Sequence, residues 1–65
     1  MNRDELNELI TYHSKEFAYL VDTMHSGLRT GSLHSADFAR ARAAEHAAIL
    51  TELRAMLAAA MGGGK

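Results

Sequence analysis

Apolar residues recur along two stretches of the chain at alternating intervals of three and four. The first stretch runs Leu6, Ile10, His13, Phe17, Leu20, Met24, and the second runs Ala39, Ala43, His46, Leu50, Leu53, Leu57, Ala60. This spacing matches helices packed side by side, and neither stretch shows the period-2 alternation of a half-buried strand. No proline occurs and the first glycine is Gly27, so nothing interrupts the first helix for more than twenty residues. Asn2 is placed to cap it, with Glu5 three residues on to reach back, and Asp4 and Glu5 suit the positive end of the helix dipole. Gly27 and Gly31 both offer a left-handed closing residue. Gly31 is favoured because it leaves Arg29 in the last turn and lets Leu28 and Leu33 pack across the bend. Ser35 reads as the cap of the second helix. The pattern predicts an all-α fold, a two-helix antiparallel hairpin filling residues 1–61. Its parts are a helix over 3–30, a bend over 31–35, a helix over 36–61 and a flexible tail over 62–65.

The second helix is rich in alanine, which favours helix and keeps its surface thin, so another helix can approach closely. Leu9 and Val21 widen the first apolar stripe, and Ile49 and Met56 widen the second. Two wide stripes exceed what one facing helix covers. A second copy is therefore expected to complete a four-helix bundle with shallow crossing angles, its core drawn from Leu6, Ile10, Phe17, Leu20, Met24, Leu50, Leu53 and Leu57. Length points the same way, because 65 residues bury little of their own surface and usually need a staple or a partner.

No staple is available, since the chain has no cysteine, which fits a reducing compartment. A net charge of −1 argues against direct nucleic-acid binding, which needs clustered cations to displace counterions from phosphates. No apolar run approaches the length of a membrane span, and Met1-Asn2-Arg3-Asp4-Glu5 lacks the basic-then-apolar order of a signal peptide. A cytoplasmic location without membrane contact is expected.

Candidate chemistry is sparse. His13 and His46 each hold a seam position that would otherwise favour leucine, and a hairpin folded near residue 31 brings them about one turn apart, with Glu16 and Glu45 nearby. Imidazoles and carboxylates on facing helices are the makings of a bundle metal site, kept here as an alternative. The preferred reading is that each histidine sets register by hydrogen bonding to Glu16, Glu45 or its symmetry mate in a dimer, so no metal or other cofactor is expected. Their titration would then loosen a dimer below neutral pH. Tyr12 and Tyr19, seven residues apart with Lys15 between them, form an aromatic stripe of the kind enriched in protein interfaces, which either binds a partner or lines the edge of the dimer interface. Arg29 sits at the bend end, the more basic end of the hairpin, and completes the candidate protein-binding set. Phe38 is expected to fold over Leu28 and Leu33. No catalytic constellation or phosphate-cradling loop is present, so enzymatic activity is not expected.

With the two seams, the Ser32–Ser35 bend and the alanine-rich segment Arg40–Ala60 in view, the chain resembles two groups of small bacterial helical hairpins. One comprises phage-encoded early proteins, including anti-quorum-sensing proteins, that dimerise through a hairpin and occlude a host regulator. The other is the small co-chaperone family of type III secretion, similar in length and in the segment Leu28–Leu57. The resemblance is architectural. It implies a non-enzymatic inhibitor that acts as a homodimer by masking a bacterial host protein such as a transcriptional regulator, or alternatively a secretion adaptor. The paired seams look self-complementary and favour the first.

Overall fold

A computed structural model describes residues 1–62 as two antiparallel α-helices, α1 (Arg3–Thr30) and α2 (Leu33–Ala60). Apart from Gly62, the expected tail lies outside the described residues. Asn2 starts α1 with a reciprocal capping box: its side-chain oxygen accepts from the Glu5 amide at 2.8 Å, and the Glu5 carboxylate accepts from the Asn2 amide at 3.0 Å. Gly31 closes α1 in the left-handed conformation, φ 80°, with its amide donating to the Gly27 carbonyl.

The turn is shorter than the sequence suggests. α2 begins at Leu33 rather than at residue 36, and the bend contracts to Gly31 and Ser32. Ser35 is not the cap, because it lies inside the first turn of α2. Ser32 holds the cap position without a side-chain hydrogen bond. The physical reason is the meeting of the two helices at Gly27. A β-carbon placed there would lie 3.0 Å from both the Ser32 carbonyl oxygen and the Ala36 amide nitrogen, and 3.2 Å from the Ala36 methyl. With only hydrogen at that point, the two backbones close to contact, and two residues suffice to reverse the chain. The Ser32 amide donates to the Gly27 carbonyl at 2.8 Å, and the Ala36 amide donates to the Ser32 carbonyl at 3.0 Å as the first turn of α2.

Side-chain size grades along the helix pair. Near the bend the buried positions are Gly27, Ala36, Ala39 and Ala43, and toward the free end they are Leu6, Leu50 and Leu53. Ile10, His13, Phe17, Leu20, Met24, His46 and Leu57 complete the seam but are only half-buried. Among the described residues no polar or charged side chain is buried. Three members of the expected dimer core, Leu6, Leu50 and Leu53, are thus already covered within a single hairpin.

The result is a rod of 49 × 17 × 14 Å. Its radius of gyration is 14.7 Å, where a compact domain of this length has about 11 Å. It exposes 4727 Å², against about 4,100 Å² for a compact monomer of the same mass. No helix among the described residues is long and apolar enough to cross a membrane.

Candidate functional site

Antiparallel helices that share a seam have two flanks. Residues one position before a seam residue fall on one flank of both helices, and residues one position after fall on the other. On the first flank are Leu9, Glu16 and Thr23 of α1 with Arg42, Ile49 and Met56 of α2, and Tyr12, Tyr19 and Phe38 lie farther round the same side. On the second flank are Ser14 and Val21 of α1 with Arg40, Ala47 and Arg54 of α2. The grooves between the helices follow this division, for one is lined by Ser14, Phe17, Ala47, Leu50, Thr51 and Arg54 together.

The two sides differ in chemistry. The first carries most of the large apolar side chains that the fold leaves in water: Tyr12 is 55% exposed, Tyr19 67%, Phe38 62%, Ile49 39% and Met56 45%. It also carries charge at Glu16, Arg42 and Glu45. The second side has small residues over an apolar floor, with exposed Leu28 near the bend and Arg40 and Arg54 toward its ends, and between Thr11 and Val21 of α1 its flank positions bear no charge.

Of the expected protein-binding residues, Tyr12, Lys15 and Tyr19 are all exposed on the middle of α1. Arg29 is exposed in the last turn, ten residues and so about 15 Å along the axis from Tyr19. The bend end carries its cations unevenly. Arg40 pairs with Asp37 at 3.2 Å and Arg42 with Glu45 at 3.7 Å, both on the surface, whereas Arg29 makes no ion pair among the described residues.

Phe38 departs from expectation. It does not fold over Leu28 and Leu33, which are themselves more than half exposed; the Arg42 guanidinium stands 5.9 Å from its ring centre. With the bend reduced to two residues, Phe38 lies a full turn into α2 on its outer side. Ile49 and Met56 were legible as flanking residues but not as exposed ones. The signal available in the sequence was that each stands one residue before a seam leucine, Leu50 or Leu57.

His13 and His46 bond to each other rather than to Glu16 or Glu45, with Nδ1 to Nδ1 at 2.8 Å and ring centres 5.0 Å apart. Such a contact needs a proton on one Nδ1 and a lone pair on the other. As arranged, the pair therefore does not offer two free Nδ1 lone pairs to a metal. Among the described residues no three His, Cys, Asp or Glu side chains converge as a metal-binding group. Tyr12 packs edge-on against His13, with ring centres 5.0 Å apart, which ties the exposed tyrosine stripe to the register contact.

No protein-family model, curated protein or solved structure matches this chain. What stands is the architecture, an all-α hairpin of two helices in mutual contact.

Proposed function

We propose that the chain is a small non-enzymatic protein-interaction module that pairs with a second copy of itself and acts by covering a surface of another protein. The observation that carries this reading is that, among the described residues, five of the nine large apolar side chains left in water after the hairpin has folded, Tyr12, Tyr19, Phe38, Ile49 and Met56, gather on one side. Tyrosine, methionine, phenylalanine and arginine are the residue types enriched in protein interfaces, and rings of this kind give contact area at small entropic cost. A masking inhibitor needs no chemistry beyond such a surface. A dimer would present Tyr12, Lys15, Tyr19 and Arg29 twice, which raises effective concentration on a dimeric target.

The target class, a bacterial transcriptional regulator, follows from the architectural resemblance to phage-encoded hairpins. The test has two parts. Sedimentation equilibrium at micromolar concentration is expected to give twice the 7.1 kDa chain mass. Photo-crosslinking from position 19 in bacterial lysate is expected to capture a regulator whose DNA occupancy falls when the hairpin is added, and Tyr12→Ala with Tyr19→Ala is expected to abolish that effect. A cooperatively melting monomer that leaves every captured regulator on its DNA would overturn the proposal. Helix formation only on addition of a secretion protein would favour the adaptor reading instead.

A further inference from the structure

The hairpin has two unlike sides, and self-association has to use one of them. We infer that the second copy seats on the groove lined by Ser14, Phe17, Ala47, Leu50, Thr51 and Arg54, leaving the side with Tyr12, Tyr19, Ile49 and Met56 for the other partner. This assignment rests on the self-association proposed above.

Three observations bear on it. The first is area, which supports pairing through either broad face and leaves the choice of face to the other two. The broad face of the rod measures 49 × 17 Å, a footprint of about 800 Å², the contribution of one partner to an ordinary stable interface. The hairpin also exposes about 600 Å² more than a compact monomer of its mass.

The second observation is charge. Permanent interfaces are depleted of charged side chains at their centre. The middle of the groove side holds Ser14, Ala18 and Val21 on α1 with Ala44, Ala47 and Thr51 on α2, none of them ionisable, and its two arginines, Arg40 and Arg54, lie toward the ends. The middle of the opposite side holds Glu16, Arg42 and Glu45. A copy seated there would have to desolvate Glu16 and the Arg42–Glu45 ion pair near the centre of the contact, a costly arrangement.

The third is shape. A two-fold contact must be complementary to itself, so the same patch has to supply both projections and recesses. The half-buried Phe17 ring stands beside Ser14 and Ala47 over the buried Leu50, large next to small within one groove. Helices can approach closely over such a surface, and the half-buried Ile10, Val21, Met24 and Leu57 are of the kind such a contact covers.

The experiment compares Ala44→Glu with Ile49→Glu by sedimentation equilibrium, with far-UV circular dichroism to follow helix content. Both positions are exposed in the hairpin, and glutamate is a good helix former. The wild type is expected to be dimeric, Ile49→Glu to remain so, and Ala44→Glu to weaken dimerisation by about a hundredfold or more, because it carries a charge into a dry contact. A monomeric wild type overturns self-association itself. A dimer that survives Ala44→Glu, or dissociates with Ile49→Glu instead, overturns the choice of face while self-association stands. Should Ala44→Glu fail to fold, single spin labels on Ala44→Cys and Met56→Cys in this cysteine-free chain decide the matter. Dipolar broadening is expected at position 44 alone, and broadening at position 56 alone overturns the assignment.

Discussion

The Nδ1 atoms of His13 and His46 lie 2.8 Å apart across the helix pair, so one imidazole donates and the other accepts. One of the two must therefore hold its proton on Nδ1. Long-range proton–nitrogen correlation spectra of the neutral protein are expected to show one histidine as the Nδ1–H tautomer and the other with its proton on Nε2. Two Nε2–H tautomers would mean that the contact is absent in solution.

The same pair is expected to be energetically coupled. Leucine at either position alone leaves a half-buried imidazole without its partner, while leucine at both restores an apolar seam. In a double-mutant cycle by chemical denaturation, the coupling between His13→Leu and His46→Leu is expected to be about 0.5–1.5 kcal/mol, with the double variant more stable than the sum of the singles implies. Strict additivity would argue against the contact.

Gly27→Ala is expected to destabilise the hairpin although alanine is the better helix former. Propensity favours the change by about 1 kcal/mol, but the new methyl meets the Ser32 carbonyl oxygen and the Ala36 amide nitrogen at 3.0 Å, and overpacking of that kind costs about 1–3 kcal/mol. The backbones near the bend would have to part. Thermal unfolding should show a melting temperature several degrees lower, and an unchanged or higher value would mean that the approach at Gly27 is looser than described.

Asn2→Ala removes one half of the capping box and is expected to cost about 1 kcal/mol, whereas Asn2→Asp should retain most of the stability. Denaturant titration of the two variants measures the difference. Equal loss in both would show that the reciprocal bonds with Glu5 contribute little.

Ser35→Ala separates two positions for the start of α2. If the helix began at residue 36, Ser35 would cap it and its loss would cost about 1 kcal/mol. With α2 beginning at Leu33, Ser35 is an exposed residue of the first turn, and the variant is expected to fall within about 0.5 kcal/mol of wild type. A clear loss of stability would restore the longer bend.

The hairpin architecture was legible because its signals are local. Spacing of three and four marks a helical stripe wherever the two helices come to rest, and Asn2 with Glu5 forms a cap within one turn. The contact of His13 with His46 was visible only as proximity. Two seam histidines could be placed about a turn apart by counting residues from the bend, but direct contact depends on how the rings pack. Phe38 and Ser35 were misplaced for one shared reason, namely that a five-residue bend was allowed where two residues suffice.

The sequence by itself determined that there are two helices, which stripe of each faces inward, and how the first helix begins. Tertiary structure decided how near the helices come and how much of each stripe a single neighbour covers. Hydrogen in place of a side chain at Gly27 lets the chain reverse at Gly31 and Ser32, which moves the start of α2 to Leu33. One facing helix buries Leu50 and Leu53 but leaves Ile49 and Met56 in water. Periodicity reports the direction in which a side chain points, while burial depends on the width and closeness of what lies opposite, and those are properties of the packed pair.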